Sequence, residues 1–250
     1  MRLVTPATIL TALVICSPGS ALLVQSTGQP TARDLDGLVG QVKRIDEEVA
    51  EMKMKAGRMT ESSRRRSSTV IYDRQGRMTQ RWLSLNGFDS TDQSFSYDKN
   101  NIRHKRYSIF DPLVNSTGNR SIEQLSVSVF HFDATENALR EEVYVGDKPE
   151  PQARTQSYKY RFDSSRRLIE KISYTLQGTV AGRDVYTYGT DHNPTERKLF
   201  SAGNPTPQVI KYTYTLDLRG NWIKRVAENT LANPARTQTV EVTYRKVSYY

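Results

Sequence analysis

From residue 69 onward one pattern recurs along the chain. An alternating aromatic strand ends near an aspartate, a short polar turn follows, and a second strand carries basic residues. The copies read VIYDRQGRMTQRWLSL, FSYDKNNIRHKRYSIF, VFHFDATENALREEVYV, YKYRFDSSRRLIEKISY, VYTYGTDHNPTERKLF and YTYTLDLRGNWIKRVAEN. Their aspartates are Asp73, Asp98, Asp133, Asp163, Asp191 and Asp217, at spacings of 25, 35, 30, 28 and 26 residues. A last strand, TVEVTYRKVSYY, follows them. Side chains alternate between the two faces of a strand, so Tyr212 and Tyr214 share one face and Lys211 and Thr213 the other. Asp and Asn bond their own backbone in turns, and Gly76 and Gly220 accept positive φ. A unit of this kind buries only one face and needs neighbours beside it. The expected fold is therefore mainly β. Tandem antiparallel hairpins should form a long, twisted or spiralling sheet over residues 69–250, preceded by one N-terminal α-helix.

YTYTLDLRGNWIKRV and YDRQGRM resemble the Rhs/YD repeat, whose pattern is roughly Y-x-Y-D-x-x-G-N/R-h. The likeness extends over most of residues 69–226. The combination of GNWIKR with a Tyr-rich terminal strand resembles small exported bacterial YD-repeat proteins. The resemblance implies a spiralling antiparallel sheet, without the self-cleaving core or toxin domain of the large Rhs proteins. After Asp98, Asn101 stands where glycine is expected, and after Asp191 that place holds Pro194.

Upstream, Thr31 can cap a helix, with Asp34 three residues on as its capping-box partner. Leu35, Leu38, Val42, Ile45, Val49 and Met52 then follow at spacings of three and four, and Ala56 and Met59 continue the series. That is an a/d seam of just over three heptads. It predicts a heptad helix over residues 31–59, able to form a homo-oligomeric coiled coil or to lie on its own sheet. Gly37 and Gly40 weaken its start by roughly 1 kcal/mol each relative to Ala. Residues 60–68, with Arg64, Arg65 and Arg66 among serines, read as a solvated linker.

The chain starts with Arg2, a mostly apolar run over residues 3–16, Pro18, and then Gly19, Ser20 and Ala21. This is the layout of a secretory signal over residues 1–21, with 22–30 as a linker. The protein is expected to be exported: periplasmic, cell-surface or secreted. Lipoprotein processing at Cys16, the one cysteine, and retention as an N-terminal anchor stand beside that reading. A mature chain carries no other segment approaching the roughly 20 apolar residues of a membrane-spanning helix.

No catalytic pattern emerges. His104, His131 and His192 lack metal-ligand spacing. Glu141 and Glu142 are adjacent, so they should point to opposite faces of a strand. The aspartates lack calcium-loop spacing. No enzyme activity, cofactor or metal is expected. What remains is charge: the net charge is +9, mostly carried after residue 69, and basic residues follow nearly every turn. Arg77, Arg103, Arg167, Arg197, Lys224 and Arg225 are the candidate polyanion-binding residues. Interleaved with aromatics, they suit carbohydrate binding, namely an acidic polysaccharide or another cell-envelope polyanion. Export disfavours nucleic acid. An oligomeric assembly scaffold and a periplasmic lipid or lipoprotein carrier are the alternatives.

Overall fold

The computed structural model describes residues 30–55, 58–85, 88–97, 103–110, 121–230 and 239–250. The signal-like stretch, Cys16, most of the 22–30 linker and the turn at Asp98 lie outside them. A single helical turn, α1 (Ala32–Leu35), precedes fifteen strands. They are β1 (Val42–Lys55), β2 (Arg58–Glu61), β3 (Arg65–Tyr72), β4 (Met78–Leu85), β5 (Phe88–Tyr97) and β6 (Arg103–Phe110). There follow β7 (Ser121–Asp133), β8 (Ala138–Val145), β9 (Arg154–Phe162), β10 (Leu168–Tyr174) and β11 (Val180–Tyr188). The last are β12 (Pro194–Ser201), β13 (Gln208–Leu216), β14 (Trp222–Thr230) and β15 (Thr239–Tyr249).

From β3 to β15 every strand pairs antiparallel with the next. β1 then pairs with β3 on one side and with β15 on the other. Among the described residues the sheet thus returns to its own start, as a ring of all strands but β2. The β-rich, antiparallel reading holds. The spiral does not: β1 supplies the backbone groups that satisfy both ends of the sheet, and full closure leaves no free edge.

Residues 31–59 are not the predicted helix. Thr31 does cap α1, with Asp34 N–H donating to Thr31 Oγ1 at 3.4 Å and Thr31 N–H to Asp34 Oδ2 at 2.7 Å. The helix stops after one turn because Gly37 and Gly40 follow at φ 65° and 76°, conformations closed to a right-handed helix. Val42–Lys55 is a strand. The deceptive three-residue step from Val42 to Ile45 is a β-bulge: Val42 sits opposite Tyr249 and Ile45 opposite Val247, so Lys43 is the extra residue. A bulge lets two residues three apart share a face. The coiled-coil route to a homo-oligomer loses its helix. The linker at 60–68 is also cut short, because β3 already begins at Arg65.

Three hairpin turns share one construction. At Asp73, Asp163 and Asp217 the carboxylate Oδ1 accepts the backbone N–H of the fourth residue on, each at 2.9 Å. The third residue on has positive φ: Gly76 at 83°, Arg166 at 61° and Gly220 at 85°. In two of them the arginine after the turn closes it again, Arg77 Nε to Asp73 and Arg167 Nε to Asp163, both at 2.7 Å. The tyrosines tie one hairpin to its predecessor. Tyr97 Oη donates to Met78 O at 2.9 Å, Tyr188 Oη to Leu168 O at 2.7 Å and Tyr214 Oη to Pro194 O at 2.8 Å. Tyrosine near a strand end is therefore a fastener as well as a strand former.

Candidate functional site: the inner wall of the ring

Residues directly opposite in an antiparallel ladder share a face. The segment Thr31–Leu38 marks which face is inside, because it meets strands from around the ring. Leu35 packs with Leu139, Tyr160 and Phe162, whereas Leu38 packs with Val42, Ile45, Val70, Tyr72 and Met78. Arg33 N–H donates to Gly76 O at 3.0 Å. Asn221 clamps Val39 in both directions, accepting its N–H at 2.8 Å and donating to its carbonyl at 2.9 Å. Tyr72 Oη donates to Asp36. Eight-stranded barrels are filled by their own side chains, but wider ones leave space. Here a piece of backbone occupies the end nearest the Asp turns.

Register carries the inner face further along the strands, and it is strongly ionic. Arg103 meets Glu141 at 2.6 Å, Arg197 meets Asp184 at 2.7 Å and Arg245 meets Glu47 at 2.7 Å. Arg225 lies 3.9 Å from Glu241. Each of these guanidiniums also stacks on a ring. Arg103 covers Phe95 and Phe130, Arg197 covers Tyr186, Arg225 covers Tyr212 and Trp222, and Arg245 covers Trp222 at 3.6 Å. Cation–π contact strengthens as water is removed. Tyr160 Oη donates to Glu141 Oε2 at 2.7 Å, and burial followed by that carboxylate drives the Tyr160 phenol far up. Burial, opposed by Arg197 and aided by Asp184, pushes Tyr186 up to about 12. Burial alone would raise Glu47, but Arg245 and the Ser68 hydroxyl hold it below the usual carboxylate range. Asp36 moves the other way, its burial outweighing Tyr72 and Arg245.

The inner wall is not uniform. Near β1, β3 and β15 it is packed shut, with Ile45, Val70, Ser68 and Thr243 all buried. Along β9–β13 most of it stays half-buried: Tyr158, Lys171, Ser173, Tyr186, Arg197 and Tyr212 are partly open.

The six sequence candidates do not form one row. Arg103, Arg197 and Arg225 lie on the inner wall, each facing a carboxylate. Arg77 and Arg167 sit at the turns, paired with their own aspartates and stacked on Tyr97 and Tyr188 of the next hairpin. Lys224 is on the outer wall, 3.1 Å from Glu61. Bulges explain the scatter, since one between Ile223 and its neighbours turns Trp222 and Arg225 to the same side. Glu141 and Glu142 do diverge, Glu141 inward and Glu142 outward to Arg154 at 3.2 Å. Sequence reasoning saw Lys171 among the basic residues after the turns but left it out of the candidates, and it missed Arg245 and Glu47. For Lys171 the signal was present: it lies opposite Tyr160 once the bulge at Ile169 is allowed for.

The outer wall is charged at mid-strand. Glu170 lies between Arg183 at 2.5 Å and Arg161 at 3.3 Å, and Arg44 meets Asp46 at 2.7 Å. Among the described residues no helix is long and apolar enough to cross a membrane.

No protein-family model matches the chain, and no curated protein does. Solved structures resemble it at a distance. A porin-like protein from Bacteroides vulgatus ATCC 8482 aligns over 81% of this chain and 97% of its own, at 13% identity and a TM-score of 0.42. A second porin-like protein, from Bacteroides uniformis ATCC 8492, aligns over 84% and 99%, at 11% identity and a TM-score of 0.32. A protein of unknown function from Bacteroides fragilis NCTC 9343 aligns over 52% and 84%, at 15% identity and a TM-score of 0.24. All three TM-scores fall below the level at which a common fold or role follows.

Proposed function

We propose that this chain is an exported, non-enzymatic binding module that holds an acidic polysaccharide or another polyanion against the inner wall of its ring. The observation that carries this is the interleaving of cations with aromatic rings along β9–β14, where Lys171, Arg197 and Arg225 each lie over tyrosine. Rings offer flat apolar faces to a polymer, and cations offer attraction to its charges. Hairpins β9–β10, β11–β12 and β13–β14 each add a tyrosine and a basic residue to the wall, whereas β7–β8 brings Glu141. The signal-like start supports a location outside the cytoplasm. A lipid carrier fits less well, because ion pairs line the wall where acyl chains would lie. The outer wall suits water, since a lipid-facing barrel presents an apolar band roughly 25 Å tall.

Adjacent residues on opposite faces test this reading. Binding of polygalacturonate to the exported chain should weaken steeply with salt, as exposed charges are screened over about 8–10 Å near physiological ionic strength. Arg225→Gln should weaken it severalfold, whereas Lys224→Gln should leave it unchanged. Equal effects of the two variants, or binding indifferent to salt, would move the site off the inner wall.

A further inference from the structure

On the inner wall between β9 and β11, one cation lacks the counter-ion that its neighbours have. Lys171 Nζ has no carboxylate partner among the described residues; it lies over the rings of Tyr158 at 4.8 Å and Tyr160 at 5.9 Å. The nearby acids are already engaged. Asp184, directly opposite on β11, binds Arg197 at 2.7 Å. Glu141 is held by Arg103 at 2.6 Å and by the Tyr160 hydroxyl at 2.7 Å. A half-buried ammonium gains only part of its lost hydration from ring faces, so an anion beside it is favoured.

The surroundings define that anion's shape. The Tyr158 and Tyr160 rings stand 6.1 Å apart at a 34° tilt; Tyr160 is buried and backs the half-buried Tyr158, whose ring is the face left open to one pyranose. Ser173 lies opposite Tyr158 across the β9–β10 ladder and is half-buried. Its hydroxyl already donates to Gly182 O at 3.3 Å, which leaves its lone pairs to accept from a ligand hydroxyl. We propose that this place is a subsite for one uronic-acid unit of a polysaccharide. The sugar's C–H face stacks on Tyr158, its carboxylate meets Lys171 Nζ, and a ring hydroxyl donates to Ser173. This rests on the inner-wall reading above and narrows it to one sugar class and one position.

Calorimetric titration of the exported chain with trigalacturonate, maltotriose and inorganic phosphate tests it. The acidic trisaccharide should bind, the neutral one at least about tenfold more weakly, and phosphate should not compete. Loss of a charge-assisted contact corresponds to about tenfold or more in affinity, so Lys171→Gln should lose about that much for trigalacturonate and nothing for maltotriose. Tyr158→Ala should weaken both sugars, and thermal melts of both variants establish that they are folded. If Arg225→Gln weakens trigalacturonate binding while folded Lys171→Gln does not, the subsite is wrong and the inner-wall function survives. If phosphate competes as well as the sugar, the site is a general anion site and the uronate assignment falls. If the unaltered chain binds no acidic glycan, both readings fall.

Discussion

The two faces of the ring are built from similar residues and differ in what surrounds them. Inside, Arg103 and Glu141 have side chains only 18% and 7% exposed, and Phe95 and Phe130 flank the guanidinium. Outside, Arg44 and Asp46 make an equally short pair at 47% and 31% exposure. Exposed pairs contribute about 0.2–1 kcal/mol, because water competes for both partners. A buried pair is worth little against an apolar replacement, yet breaking it strands a charge at a cost of about 3–5 kcal/mol. Distance alone therefore says nothing about what an ion pair does here. The outer pairs keep the wall wet, and the inner ones position rings and charges.

Mutations on the two faces sharpen this contrast. Glu141→Ala strands Arg103 and should destabilise the fold by about 3–5 kcal/mol in denaturant titrations. A loss below about 1 kcal/mol would mean that water reaches the inner wall freely. Trp222→Ala should cost about 3–5 kcal/mol, since Trp222 is 5% exposed and lies under Arg225 and Arg245. Acidification should act through the inner wall. Arg245 and Ser68 outweigh burial at Glu47, so its folded pKa is lowered. Its contribution is therefore present above the ordinary glutamate range, about 4.3, and is lost as pH falls through the folded value. Glu47→Gln should flatten the acid limb of stability against pH, and an unaltered limb would assign it to other carboxylates. Smallest of all, Arg44→Ala should change stability by less than about 1 kcal/mol, and added salt should erase even that.

Much of the wall could be read from the residues themselves. The turns at Asp73, Asp163 and Asp217, the shared face of Tyr212 and Tyr214 and the divergence of Glu141 from Glu142 all follow from local rules of turn chemistry and alternation. Two kinds of information were not local. Bulges at Lys43 and near Ile223 shift the alternation by one, which made a strand look like a heptad and scattered the basic residues over both faces. Partners across the ring were also invisible. Nothing in the order of residues says that Asn221 clamps Val39, or that the carboxylate facing Arg245 is Glu47. The tyrosines were seen as strand formers, while their hydroxyl links to the preceding hairpin needed the register to appear.

Pairing of β1 with β15 joins residues 42–51 to residues 241–249, and this has a kinetic consequence. Each hairpin can form from neighbouring residues, but the seam must bring together segments almost a whole chain apart. Closing such a long loop costs entropy before any ladder bond repays it, and folds dominated by distant pairings form slowly. Until the seam zips, β1 and β15 each present an unpaired edge that can recruit another chain. Folding of this protein should therefore end in a single late step. Its rate should respond to substitutions along β1 and β15 and hardly at all to changes in the individual turns.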